Sequence, residues 1–142
     1  MMERKRVVIN TEKQFMPLDD VISEFIIDKK GVGMVNVFVA HTTCAIKIME
    51  GEILLLSDVN TYLNEQFPKD GSYKHNMIEI RDVPITERIN GHSHMQQLFF
   101  GTDVNIPVED GRMLLGKWQK VFLIEFDPIR ERDVYLTYWA LA

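Results

Sequence analysis

The sequence predicts a single domain in which about three α-helices pack on a mostly antiparallel β-sheet, an α+β class. Three observations lead there: apolar residues recur at helical spacing in three segments, β-branched and aromatic runs fill most of the rest, and turn residues rather than crossover helices join the last strands. A chain of 142 residues, 46% hydrophobic and 26% charged, is long enough for one real core without metal or disulfide staples. No Gly-, Ser- or Pro-rich linker and no repeat interrupts it, so 1–142 reads as one domain.

Residues 4–10 (RKRVVIN) predict an opening strand. After Pro17, Asp19 and Asp20 offer an N-cap for a helix whose Val21, Ile22, Phe25 and Ile26 share one side, and Gly31 ends it. Met34–Ala40 and Cys44–Met49 read as one long kinked strand or two, separated by His41-Thr42-Thr43. Residues 51–67 predict a helix with Ile53, Leu54, Leu56, Val59, Leu63 and Phe67 roughly on one side and Pro68 closing it. A polar loop, 69–76, follows. Asn90 to Phe100 suits a short helix capped by Asn90, with Gly101 after its end. Asp110-Gly111 then marks a turn between Val104–Ile106 and Met113–Leu115, and Asp127-Pro128 joins the strands Trp118–Phe126 and Asp133–Ala140. In the last strand both alternating sets are largely apolar, so both faces need cover; helices supply one, and a sister subunit is expected on the other.

Composition narrows the function classes. A formal charge of −5 argues against nucleic acid, which a local basic patch alone would override. No apolar run approaches a membrane span, and nothing in MMERKRVVIN reads as a secretory signal; with a single Cys44, the expected location is cytoplasmic. The nucleotide-binding glycine patterns are absent, so no nucleotide cofactor is expected.

The chemistry-bearing residues are four histidines and scattered charges. Imidazole is the usual metal ligand and general base near neutral pH, yet a lone His beside a strand is more often a hydrogen-bonded structural residue. His41, His75, His92 and His94 show no local metal signature, and the rings of His92 and His94 diverge by about 200° on a helix, so one of them at most joins a shared site. Glu50, Asp58 and Glu87 are candidate proton acceptors or ligands; Glu50 serves equally as a helix N-terminal charge. Arg112, Lys117, Arg130 and Arg132 surround the last strands and suit a phosphate or carboxylate, or else pair with neighbouring acids. Cys44 alternates with Ile46 and Ile48 and reads as a small buried residue rather than a nucleophile.

The order of segments carries more information than any one of them. His41-Thr42-Thr43, Glu50, Asp58, Tyr73-Lys74-His75, Asn90-Gly-His-Ser-His94, Gly101, Ile106-Pro-Val108, Gly111-Arg-Met-Leu-Leu-Gly-Lys-Trp-Gln119 and Glu125-Phe-Asp-Pro128 together resemble the YjbQ-like family, also called the secondary thiamine-phosphate synthase family. The resemblance runs over nearly the whole chain and departs at Met49, Lys117 and Ile129. It implies a homotrimer with a twisted antiparallel sheet. It also implies a pocket where His41, His75 and His94 hold a divalent metal, with Glu50, Asp58 and His75 as catalytic groups. The expected activity is joining of hydroxymethylpyrimidine diphosphate to a thiazole phosphate, with Arg112, Lys117, Gln119 or Arg130 receiving a phosphorylated small molecule. Zn²⁺ suits the imidazoles, whereas Mg²⁺ would arrive with a diphosphate. The competing expectations are a Zn-dependent hydrolase with Glu50 as base, and a trimeric metabolite-binding protein without turnover.

Overall fold

The computed structural model describes residues 1–141. Eight strands and three helices follow in the order β1 (Met2–Thr11), β2 (Phe15–Pro17), α1 (Asp19–Ile26), β3 (Val32–Val39), β4 (Cys44–Glu50), α2 (Ile53–Gln66), α3 (Gly91–Gln97), β5 (Asp103–Glu109), β6 (Arg112–Met113), β7 (Gln119–Glu125) and β8 (Arg130–Ala140). Two short 3₁₀ turns, Lys74–Asn76 and Ile78–Ile80, precede α3. All strand pairs are antiparallel, in a five-stranded sheet ordered β1-β8-β3-β5-β6 and a three-stranded sheet ordered β2-β7-β4. The chain is thus a single α+β domain.

Alternation explains the layers. Val35, Val37 and Val39 of β3 and Val134, Leu136 and Tyr138 of β8 point from the large sheet toward Ile46, Val121 and Leu123 of the small one, and α1 adds Ile22 and Ile26 to this main core. The opposite face of the small sheet, with Ala45, Phe122 and Ile124, carries a second cluster closed by Leu63 of α2 and by Phe126. The outer face of the large sheet stays uncovered within the chain: Phe38 and Tyr135 pack at a centroid distance of 6.5 Å beside Arg4 and Thr137. Among the described residues no helix is long and apolar enough to cross a membrane.

Several local expectations change. Of the two readings open for 34–49, the two-strand one holds, and the His41-Thr42-Thr43 break separates strands that lie in different sheets. The strand β2 has no signal in its three residues; pairing of Phe15–Pro17 with Phe122–Ile124 of β7 creates it. Leu18, not an aspartate, occupies the N-cap of α1, and Asp19 instead accepts the Val121 amide across the core at 3.1 Å. The N-cap of α2 is Glu52, whose carboxylate accepts from the amides of Leu54 and Leu55. Of the apolar α2 positions expected to pack inward, Leu63 is buried, Leu56 and Val59 are half-buried against the second cluster, and Ile53 and Leu54 are exposed. Asn90 occupies the N-cap position of α3 as expected, but its side chain makes no capping bond and its amide donates to Asp127 at 2.9 Å instead. The Asp110-Gly111 turn forms as expected, both residues at positive φ, with Gly111 lying so close to the Ile27 carbonyl that a Cβ would sit 2.7 Å from it.

A candidate anion site at the seam between the sheets

Three of the chain's six passages between the two sheets converge here: after β1, between β3 and β4, and between β7 and β8. One buried polar cluster ties these crossings together. Arg132, 1% exposed, donates from Nε to Glu125 Oε1 at 2.8 Å and from Nη2 to Glu125 Oε2, Thr43 Oγ1 and the Thr43 carbonyl. Glu125, also 1% exposed, accepts in addition from Thr11 Oγ1 and from the Asp127 amide at 3.0 Å. Burial alone would raise the Glu125 carboxyl, but these donors overcome it and hold it below the usual range. Sequence separation hides the cluster: Thr43 and Arg132 are 89 positions apart.

A second cluster sits alongside. Asp127 accepts a bidentate pair from Arg88, Nε to Oδ2 and Nη2 to Oδ1, both at 2.9 Å, and its Oδ2 also accepts from Asn90 and from Arg130 Nη1 at 3.0 Å. Burial pushes the Asp127 carboxyl up; Arg88 and Asn90 outweigh it and lower it. The Arg81 guanidinium is fixed by donating to the His75 carbonyl at 2.8 Å.

Above these anchors opens a cleft of about 410 Å³, lined by Arg81, Arg88, Arg130 and Arg132 with His41, His75 and His94; Thr42, Thr43, Asn90 and Glu87 complete its walls. Each arginine spends part of its fork on a protein acceptor and retains further N–H groups. Arg132 Nη1 donates to none of the described residues and is not sealed from solvent, so it faces the cleft. Glu87 is the sole carboxylate among the lining residues. A chain of net charge −5 therefore concentrates four guanidinium groups in one hollow.

The histidines fall into two roles. His41 Nε2 accepts the Asp133 amide at 2.9 Å, which requires a neutral ring carrying its proton on Nδ1. Burial, then Arg132, lowers the His41 pKa, so the 3.8 Å approach of Asp133 Oδ2 is not an ion pair. The rings of His75 and His94 meet edge to face at 4.4 Å, and burial, then His75, lowers the His94 pKa. His92 is turned into the protein, its Nδ1 buried without a partner, so it does not join them.

The cleft unites His41, His75, His94, Glu87, Arg130 and Arg132 of the residues expected from sequence. It excludes the others within this chain. Glu50 and Lys117 lie together in a separate hollow beside Gly51 and Trp118, Asp58 lines an apolar groove beside α2, and Arg112 sits with Glu109 and Asp110. Gln119 Oε1 accepts the Gly116 amide at 2.7 Å, closing its own loop. The physical reason is the β4–β7 register: Cys44 pairs with Glu125 at the seam end, Glu50 pairs with Gln119 at the opposite end beside Lys117, and Asp58 is carried on α2. Arg81 and Arg88 were not anticipated; they lie in a segment without regular strands, and their anchors, the His75 carbonyl for Arg81 and Asp127 for Arg88, appear only in the fold.

The donor set does not fit the implied divalent cation. His41 has spent its lone pair on a backbone amide, four guanidinium groups surround the remaining nitrogens, and no group of three or more His, Cys, Asp or Glu among the described residues is placed to hold a metal.

Comparison with known proteins agrees with the fold and corrects the activity. The family described as UPF0047 protein YjbQ-like matches residues 4–140. A UPF0047 protein of Methanothermobacter thermautotrophicus is 37% identical over 111 residues, 77% of this chain and 71% of that protein. A YbjQ-like protein of unknown function from Sulfolobus solfataricus superposes with a TM-score of 0.84 at 28% identity, over 99% of both chains. A hypothetical protein of Aeropyrum pernix gives 0.83 at 31% identity, over 98% of this chain and 99% of that one. These relatives bear no thiamine-phosphate synthase designation, and with the unsuitable metal donors the implied synthase and Zn-hydrolase assignments are withdrawn. Motif order, fold and match over nearly its whole length agree: the chain belongs to the YjbQ-like UPF0047 family.

Proposed function

We propose that the seam cleft binds a small molecule through a phosphate group. The observation that carries this reading is the convergence of four arginines, each oriented by a protein acceptor, on a hollow with one lining carboxylate. Guanidinium forks match phosphate oxygens, and anchored forks lose little freedom on binding. The locked Nδ1–H of His41 adds a neutral donor, and His75 with His94 adds ring nitrogens able to exchange a proton with the ligand. The uncovered face at Phe38 and Tyr135 supports assembly as a homotrimer, and the lone buried Cys44 supports a cytoplasmic setting.

Calorimetric titration with inorganic phosphate and phenyl phosphate tests the reading. Binding at millimolar or lower concentration is expected, weakened about 10- to 100-fold in Arg81→Gln and Arg130→Gln, the range for one charge-assisted hydrogen bond. No binding of either probe, or equal binding by both variants, overturns it.

A further inference from the structure

Glu87 is the one carboxylate lining the seam cleft, and none of the four guanidinium groups around it turns to it. Arg88 and Arg130 are engaged with Asp127, Arg132 with Glu125 and Thr43, and Arg81 with the His75 carbonyl. The Glu87 carboxylate has neither an ion-pair nor a hydrogen-bond partner among the described residues. A half-buried carboxylate beside guanidinium groups is ordinarily drawn into one of their forks, as Asp127 is by Arg88 and Arg130. The backbone of Glu87 is fixed in a turn, its amide donating to the Pro84 carbonyl at 3.0 Å, while the neighbouring Arg88 reaches away to Asp127. Both carboxylate oxygens therefore stay open to whatever enters the cleft.

The charges in and beneath the cleft indicate what that partner is. Four guanidinium groups stand against the carboxylates of Glu125, Asp127 and Glu87, which leaves one net positive charge. Asp133, beside His41, is offset by Arg6 at 3.4 Å. The His41 ring is neutral, and burial, then His75, disfavours a charge on His94. A phosphate monoester brings close to two negative charges at neutral pH, more than the cleft balances, and its dianion is repelled by Glu87. One positive charge elsewhere on the ligand removes both mismatches, whereas a hydroxyl would occupy a Glu87 oxygen and leave the charge unbalanced. The cleft, about 410 Å³, has room for such a group, since pockets of about 300–1,000 Å³ take whole small molecules. Resting on the phosphate reading above, we propose that the ligand is an amine-bearing phosphate monoester, its phosphate held by the arginines and its ammonium group by Glu87. Glu87 is then the residue that sets specificity, because it separates an amino phosphate from an alkyl phosphate of the same shape.

Calorimetric titration of the full chain near pH 7, where an alkyl amine is charged, tests this. The probes are 2-aminoethyl and 3-aminopropyl phosphate, set against propyl and butyl phosphate, which carry a methyl in place of the ammonium group. At least one amine is expected to bind about 10- to 100-fold tighter than its alkyl match, the range for one charge-assisted hydrogen bond. In Glu87→Gln the preference should shrink to within about threefold, with the alkyl phosphates bound no more weakly than by wild type. Glu87 has no partner in the chain to lose, and unchanged circular dichroism confirms folding. Alkyl phosphates bound as tightly as the amines by wild type, a preference that survives in Glu87→Gln, or equal weakening of every probe overturns the proposal and leaves the phosphate site standing. Binding of no probe overturns both.

Discussion

Replacing Glu125 by Gln tests the buried cluster at the sheet seam. The carboxylate receives two donors on each oxygen: Thr11 Oγ1 and Arg132 Nε on Oε1, Arg132 Nη2 and the Asp127 amide on Oε2. An amide of the same shape turns one oxygen into an NH₂ that faces two donors, and it leaves the Arg132 charge uncompensated at 1% exposure. Breaking a buried pair in this way costs about 3–5 kcal/mol, a shift on the order of 10 °C in Tm for a domain of this size. Urea unfolding with an unchanged m-value measures it. The pH arm has a definite sign. Because the folded carboxyl lies below its unfolded value, its stabilisation is fully present above about pH 4.3 and disappears as pH falls through the lower folded value. The gap between wild type and Glu125→Gln should therefore close only in strong acid. A loss under about 1 kcal/mol at pH 7, or a gap that closes near neutrality, refutes the reasoning.

Other perturbations probe separate parts of the molecule. Burial lowers the pKa of His41, His92 and His94, so the unfolded chain takes up protons first, and urea midpoints should fall as pH drops from about 7.5 to 5.5; a flat profile contradicts those shifts. Cys44 is buried and its thiol is pushed up to about 12, so iodoacetamide at pH 8 should label it only in denaturant. The Tyr138 hydroxyl is buried without a partner, and Tyr138→Phe should leave stability unchanged or raise it by about 1 kcal/mol, read by thermal unfolding. Gly33→Ala would place a Cβ 2.3 Å from that hydroxyl and 2.5 Å from the ring, so a loss of about 1–3 kcal/mol is expected in the same assay.

How much of this was legible in the sequence depends on how local the cause is. The inward valines of β3 and the alternation of β8 announce themselves, because each residue's environment follows from its parity along the strand. The helix α2 was readable as a helix and in part in its packing: Leu56, Val59 and Leu63 pack on the small sheet as their spacing predicts, whereas Ile53 and Leu54, in the first turn, stay exposed. At the site, the resemblance gathered His41, His75 and His94 into one place, yet their chemistry depends on a backbone amide 92 residues from His41. Arg81 and Arg88 leave no pattern of their own. Glu50 and Asp58 stood near the histidines in motif order, and sheet topology carries them to the other side.

The three passages that meet at the seam limit how such a cleft can change over time. Arg132 and Thr43 line the cleft and, with Glu125, also hold three of the chain's crossings, so a substitution that reshapes the cleft there also loosens the architecture. The opposite wall, with His75, Arg81, Glu87 and Arg88, belongs to no strand. His75, Arg81 and Glu87 of that wall can change at little structural risk, while Arg88, paired with Asp127, and the seam stay fixed.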